Sequence, residues 1–251
     1  MNARPLWIAL ILGVLLPAFA RAETVDEGSF QVYRHDQSLG AETFQLTQGH
    51  DSLAVMARQY LTLQTSEGPA PIERDADLLV NRYDFSLRSF TSERTFQGAT
   101  IKRGVVVADT HYVCYRQDNN GGEGVSYILP PGRIYVMDSQ LITMFDLICR
   151  SFQDRAFRSR DINLLALGPR DTMLTAHAKA VGTETIQWAG GPVSARKLLL
   201  QVDSQTTFTL WIGPKGRLLR LLEPIGGLRA ERAPPEGKPE GKSTAPPKPG
   251  G

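Results

Sequence analysis

The chain has 251 residues and a formal net charge of +2, and 41% of its residues are apolar. This length fits one domain of ordinary size with short extensions. Arg4 and Arg21 account for the excess positive charge, so the remainder of the chain is neutral. A neutral chain has no general electrostatic attraction to nucleic acid or to anionic membranes, and we therefore expect no nucleic-acid partner.

The first 22 residues predict a secretory signal peptide. Arg4 provides the positive start, residues 6–16 are an apolar run, and Ala20-Arg21-Ala22 has the small-x-small form of a cleavage site. The alternative is a membrane anchor, but a spanning helix needs about 20 apolar residues and this run is shorter. We expect cleavage after Ala22, a periplasmic protein, and no membrane anchor after cleavage.

The last residues of the chain differ in composition from the rest. Residues 233–251 consist mainly of Pro, Gly, Lys and Glu. Such a segment buries too little apolar surface to offset its ordering entropy, and it is predicted to be disordered. Both a spacer role and an end without a specific role are open. The predicted domain is therefore a single β-rich unit over residues 23–232.

Alternating apolar and polar residues recur along this domain. Residues 28–34 and 40–46 alternate on either side of turn-forming residues, which predicts a β-hairpin. Pro69 and Pro71 are predicted to interrupt the pattern. Further strands are predicted over residues 52–64, 77–86, 92–96, 99–107, 110–115, 125–129, 172–181, 183–188, 193–202, 206–212 and 217–222.

One segment has helical spacing instead. Apolar side chains recur every three to four residues from Leu141 to Phe152, and Asp138 precedes them as a candidate N-cap. The sequence thus predicts one helix over residues 138–152. The predicted fold is mainly β, a curved antiparallel sheet or half-open β-barrel around that central helix.

The two cysteines, Cys114 and Cys149, have two interpretations. An exported protein meets oxidising conditions, in which such a pair can form a disulfide. The other interpretation is two separate buried thiols, because free cysteine behaves as a small apolar residue.

The residue patterns of common catalytic and metal sites are not found in this sequence. Its histidines, His35, His50, His111 and His177, do not have the spacing of zinc ligands, and there is no Gly-x-Ser-x-Gly motif. Asp109 and His111 share a strand face, but a site needs a third group in geometry. We expect no metal, no cofactor and no enzymatic activity.

Three motifs carry a resemblance to a known group of proteins. They are Phe30-x-Val32 followed by Leu39-Gly40, the Leu129-Pro-Pro-Gly-Arg-Ile-Tyr-Val-Met-Asp138 segment, and residues 210–222 followed by Pro224 and Gly226-Gly227. Together they resemble uncharacterised exported bacterial domains whose fold is similar to the LolA/LolB lipoprotein carriers. The resemblance covers residues 28–229 and implies an open β-barrel that binds an acyl chain or another apolar group.

A curved sheet offers a concave face on which aromatic side chains can contact a ligand. The candidates for such contacts are Tyr112, Tyr127, Tyr135, Phe145 and Trp211. The alternative is that these aromatic residues are simply core. The predicted function is a non-enzymatic binding protein for a lipid or other apolar ligand, and the alternative is an envelope-assembly scaffold that acts through protein contacts.

Overall fold

The computed structural model describes residues 23–138, 140–154 and 156–235. The predicted signal peptide and all but the first three residues of the predicted tail lie outside these ranges. The first half of the described chain forms strands that pair with their sequence neighbours. They are β1 (Glu23–Arg34), β2 (Gln37–Gln48), β3 (Ser52–Thr65), β4 (Gly68–Asn81), β5 (Leu87–Phe96), β6 (Ala99–Val107), β7 (His111–Asp118) and β8 (Gly121–Ile128).

The second half contains the remaining strands, helix α1 and a 3-10 turn at Pro214–Gly216. In chain order the strands and helix are β9 (Ile134–Met137), α1 (Ile142–Arg150), β10 (Ser159–Ala166), β11 (Thr172–Trp188), β12 (Gly191–Gln201), β13 (Thr207–Ile212), β14 (Leu218–Glu223) and β15 (Leu228–Arg232). The predicted mainly-β fold with one helix is confirmed.

All fifteen strands belong to one open sheet. Its order is β8-β7-β6-β5-β4-β3-β2-β1-β15-β14-β13-β12-β11-β10-β9, and only the β9–β10 pair is parallel. The β1–β15 pair joins the two halves. A twisted sheet of this size curls. The edge strand β9 accordingly comes near the β4–β5 turn, where the Tyr135 hydroxyl donates to the Asp84 carbonyl at 3.1 Å.

Local chemistry explains most of the strand boundaries. The predicted first hairpin is confirmed, with His35 and Asp36 at positive φ in its two-residue turn. The predicted interruption at Pro69 and Pro71 is wrong, because β4 begins at Gly68 and pairs with β3 through both prolines. The β4–β5 ladder starts only at Ile72, so the prolines lie where β4 has one neighbour and their missing N–H groups cost no ladder bond.

Helix α1 lies inside the curved sheet. All nine of its residues are buried, and its apolar side chains join one core cluster with the inward residues of the strands. The helix is the second layer that the apolar inner face of the sheet needs. No helix in the described ranges has the length and apolar character needed to cross a membrane.

The N-terminus of α1 is capped from a distant strand. Asp138 was predicted as the N-cap, but the helix begins at Ile142 and Leu141 precedes it without a side-chain cap. Glu42 of β2 accepts the Ile142 and Thr143 backbone N–H groups at 2.9 and 2.7 Å, and Gln59 donates to it at 2.9 Å. Burial raises the pKa of Glu42, while the hydrogen bonds from Thr143 and Ile142 act in the opposite direction.

An ion cluster holds the other end of α1. It consists of two carboxylates and three guanidinium groups, contributed by Asp26, Asp146, Arg150, Arg217 and Arg232. Asp146 also accepts the Leu218 backbone N–H at 2.7 Å. Burial raises the pKa of Asp26, but the charges of Arg232, Arg150 and Arg217 outweigh this effect and hold it below its ordinary value.

Replacing Glu42 with alanine removes the acceptor for buried donors of α1. We expect Glu42→Ala to lower the free energy of unfolding by about 2–4 kcal/mol, because buried donors left without a partner keep their desolvation cost. Urea unfolding measures this loss. The control is Glu73→Ala, which removes an exposed carboxylate from β4; equal losses in both variants would contradict the capping role.

Replacing Asp26 with asparagine tests the ion cluster and its pH dependence. At neutral pH we expect a loss of about 3–5 kcal/mol, because three arginines lose a buried counter-charge. A depressed carboxyl pKa stabilises the fold above the ordinary value of 3.8 and stops doing so as the pH falls through the depressed pKa.

The urea midpoints of wild type and Asp26→Asn should therefore converge below about pH 3.8. As a control, Asp75→Asn removes one partner of an exposed ion pair with Arg58, and its loss should stay below about 1 kcal/mol. A wild-type advantage that persists unchanged to pH 2.5 would refute the assigned role of Asp26.

Candidate anion-binding site

Four neighbouring strands, β4 to β7, each place one arginine on the inner face of the sheet. The arginines are Arg74, Arg94, Arg103 and Arg116, which we call the arginine pocket. Other inward positions of the same strands hold buried residues of the core cluster, namely Ala76, Phe90, Val105 and Cys114. Because side chains alternate between faces along a strand, the arginines share the face of these core residues.

The strand register sets the arginines against one another. Arg74 lies directly opposite Arg94 across β4 and β5, and Arg103 lies directly opposite Arg116 across β6 and β7. Like charges in directly opposed positions destabilise a sheet. The arginine pocket thus contains two unfavourable pairs side by side.

Two of the arginines are fixed by partners from the other half of the chain. The Arg74 side chain is only 3% exposed; it donates to the Gln140 Oε1 atom at 3.1 Å and lies 2.9 Å from the Asp138 carboxylate. Its Nε atom makes no hydrogen bond with any part of the chain that the structure describes. Arg103 forms an ion pair with Asp171 at 3.4 Å and donates to the Gly168 carbonyl.

The other two arginines are not fixed in this way. Within the described ranges, neither Arg94 nor Arg116 forms an ion pair or a side-chain hydrogen bond, although both are half-buried. Burial and the repulsion of Arg74 lower the pKa of Arg94; the charge of Asp138 acts in the opposite direction, and Arg103 and Arg116 contribute less. Two positive charges are therefore held in the pocket without a carboxylate within ion-pair distance.

A cavity of about 240 Å³ lies between the four arginines and the segments that follow β9 and β10. Ser92, Ile101 and Leu167 contribute to its lining. This volume is smaller than a typical pocket for a whole drug-sized ligand. Guanidinium groups present planar forks of donors that match oxyanions, so the cavity is suited to one anionic group.

The predicted ligand-binding aromatics lie elsewhere. Tyr112 stacks on Tyr127 at 5.0 Å, and Phe145 of α1 packs on Phe208 at 4.6 Å between ring centroids. Together with Tyr135 they belong to or pack on the core cluster that surrounds α1. Their rings pack against other side chains of the protein. A ligand role for these aromatics stays a prediction.

The fifth predicted aromatic residue is separate from the others. Trp211 lies on the opposite face of the sheet, in a small second cluster with Ile186, Ala195 and Leu219. Its indole N–H donates to the Glu184 carboxylate at 3.0 Å. The structure therefore does not bring all five predicted aromatics into one groove.

The two cysteines are free buried thiols, which is the second of the two interpretations of the sequence. Burial and the nearby charge of Asp171 raise the pKa of the Cys114 thiol to about 11. Burial likewise raises the pKa of the Cys149 thiol well above its ordinary value. Both thiols therefore have little of the thiolate form that reacts.

Two arginines of the pocket could have been recognised from the sequence. Arg74 lies between Ile72 and Ala76, and Arg103 between Ile101 and Val105, at positions where the two-residue period predicts an apolar side chain. Such a position indicates a buried charge that needs a partner. Metal chemistry has no comparable support, since no group of three or more His, Cys, Asp or Glu suited to a metal occurs among the described residues.

Comparison with known proteins supports the fold. No family model and no curated protein matches the chain. Among solved structures, a β-barrel-like protein of the domain of unknown function DUF1849 from Brucella abortus matches 82% of this chain and 94% of its own, at TM-score 0.54 and 7% identity. A DUF1089 family protein from Pseudomonas aeruginosa matches 71% and 87%, at TM-score 0.44 and 13% identity. The DUF1849 protein shows that the fold of this chain is shared with a protein described as β-barrel-like.

Removing one arginine of an opposed pair should stabilise the protein. We expect Arg94→Gln to raise the free energy of unfolding by about 0.5–1 kcal/mol in chloride buffer, because it ends the repulsion across β4 and β5. Thermal and urea unfolding measure the gain. Arg58→Gln serves as the control, because Arg58 is exposed and paired with Asp75; a loss of stability in Arg94→Gln would contradict the repulsion.

Proposed function

We propose that this chain is an exported, non-enzymatic binding protein that holds an anionic group of its ligand in the arginine pocket. One observation carries the proposal. The sheet register forces two pairs of arginines into direct opposition, and neither Arg94 nor Arg116 has a carboxylate within ion-pair distance in the described ranges, although the exposed Glu123 lies opposite Arg116 on β8. An oxyanion between the opposed guanidinium groups replaces repulsion with charge-assisted hydrogen bonds.

The predicted signal peptide supports an exported, periplasmic location for this binding protein. The sequence resemblance to LolA/LolB-like domains and the open β-barrel-like fold support a binding role, although the fold alone names no ligand. The proposal therefore takes its ligand chemistry from the pocket.

The site proposed here differs from the acyl-chain site that the sequence suggested. Helix α1 packs on the concave face beside the arginine pocket, and Glu42 and the ion cluster hold its two ends. An acyl chain in the half-barrel would have to displace this helix. Binding at the arginine pocket leaves α1 in place, and Ile101 and Leu167 beside the arginines give a short apolar contact for the rest of a ligand.

A second candidate function is envelope scaffolding through protein contacts. Four exposed apolar side chains lie on the outer face of β6 to β8, those of Val106, Val113, Tyr115 and Ile128; Val106 and Val113 are directly opposed, and Ile128 is 80% exposed. Beside this face, β8 is an edge strand of the sheet. An apolar face next to an unpaired edge favours the addition of a partner strand.

Sulfate binding tests the proposed anion site. At constant ionic strength, sulfate should raise the melting temperature of the wild type and give a saturable calorimetric isotherm, because binding to the native state stabilises it. The double variant Arg94→Gln/Arg116→Gln should lose the saturable isotherm and keep only the smaller rise in melting temperature that sulfate gives folded proteins in general.

The matched control is Arg58→Gln/Arg88→Gln, which removes two exposed arginines that pair with acidic residues. It has the same net charge as the pocket variant but keeps the arginine pocket, so the difference between the two variants is the response of the pocket itself. An equal response of the two double variants would overturn the proposal.

A further inference from the structure

We infer that the arginine pocket selects a doubly negative oxyanion of the phosphate-monoester type over singly charged anions, an inference that rests on the proposed function. It concerns the ligand class and not only the presence of a site. The charge balance of the pocket, its remaining donors and its size support this inference.

The charge balance points to two negative charges. Asp138 neutralises Arg74, and Asp171 neutralises Arg103. Arg94 and Arg116 remain without a carboxylate within ion-pair distance. Asp138 acts on Arg94 from a greater distance, and the carboxylates beside Arg116, those of Asp118 and Glu123, are exposed and screened by water. A carboxylate or a phosphodiester carries one negative charge and leaves one half-buried guanidinium without a counter-charge, which is costly.

The donors that remain in the pocket match a phosphate monoester. Arg94 and Arg116 offer two guanidinium forks, and the unpartnered Nε–H of Arg74 is a further donor from a side chain that is 3% exposed. The Ser92 hydroxyl also lines the cavity. A phosphate monoester has three terminal oxygens that are strong acceptors, so it can engage both forks at once.

The ligand, and not the pocket, should set the pH dependence of binding between pH 5 and 8. The charged groups that face the site are its four arginines, Asp138, Asp171 and, beside Arg116, Asp118 of β7 and Glu123 of β8. Burial raises the pKa values of the neighbouring Tyr112 and Cys114, which keeps both groups neutral in this range. The lining contains no histidine among the residues described. A phosphate monoester gains its second charge near pH 6.

The experiment is calorimetric titration of the full chain with glycerol phosphate and with sulfate at pH 5 and pH 8. The glycerol phosphate affinity should be about tenfold higher at pH 8, because the dianion fraction rises about tenfold. Sulfate is doubly charged at both pH values, and its affinity should change less than about twofold. Dimethyl phosphate, a permanent monoanion, should bind at least about tenfold more weakly than glycerol phosphate at pH 8.

Vesicles separate the two sources of such a group. Cosedimentation with phosphatidylcholine vesicles that contain phosphatidic acid, a lipid monoester, would identify a lipid headgroup. Binding of glycerol phosphate without cosedimentation would identify a soluble phosphate ester. Equal cosedimentation with phosphatidylglycerol, a phosphodiester, would overturn the selectivity for a dianion.

The outcomes also separate this inference from the proposed function. If no anion binds, sulfate included, the proposed function fails. If sulfate and glycerol phosphate bind with affinities that do not change between pH 5 and 8, or if acetate binds equally well, only the dianion selectivity is wrong. The Arg94→Gln/Arg116→Gln variant should lose the pH dependence, and Arg58→Gln/Arg88→Gln should keep it.

Discussion

The hydrogen bonds that Glu42 accepts from the first turn of α1 hold a helix inside a sheet that does not close. The free N–H groups at a helix start need acceptors, and water does not reach this buried end. A strand carboxylate supplies them, and Asp146 fixes the other end of the helix to Arg232 of β15 and to the Leu218 backbone. The apolar inner face of the sheet depends on α1 for cover, so these polar contacts determine the position of the core as a whole.

The inward-facing positions of the strands therefore carry polar groups of two kinds. At the ends of α1, inward charges such as Glu42 and Asp26 meet donors or opposite charges, and they position the helix. On β4 to β7, inward arginines meet one another. The fold alone explains a buried charge that has partners. It does not explain two like charges in directly opposed positions. This difference distinguishes a structural ion network from a candidate site.

The sequence predicts local structure here better than it predicts the site. Two-residue periodicity identified the first hairpin, and helical spacing identified α1 within residues 138–152, since both patterns are local. Glu42 lies 100 positions along the chain from Ile142, whose N–H it caps. Sequence spacing therefore pointed to Asp138 as the N-cap, because Asp138 is close to the helix in the chain. The opposition of Arg74 and Arg94 depends on the β4–β5 register, and sequence alone does not fix the register of strands with such uniform alternation.

The outer face of the same strands shows that this sheet has an alternative to opposed arginines. Arg58 lies directly opposite Asp75 across β3 and β4 with 3.1 Å between charged atoms, and Glu93 lies directly opposite Lys102 across β5 and β6 at 3.1 Å. These exposed pairs follow the ordinary rule that opposed positions carry opposite charges. Asp75 and Glu93 are themselves like charges in opposed positions across β4 and β5, but each has a cation on its other side. On the inner face the residue opposite Arg94 on β6 is Ile101, and lower solvent exposure makes repulsion more costly there. Charge repulsion lowers the stability of the fold most where water screens it least. A locally destabilised position of this kind is characteristic of a functional site. The difference between the two faces of β4 to β6 therefore favours a ligand that provides the missing negative charge.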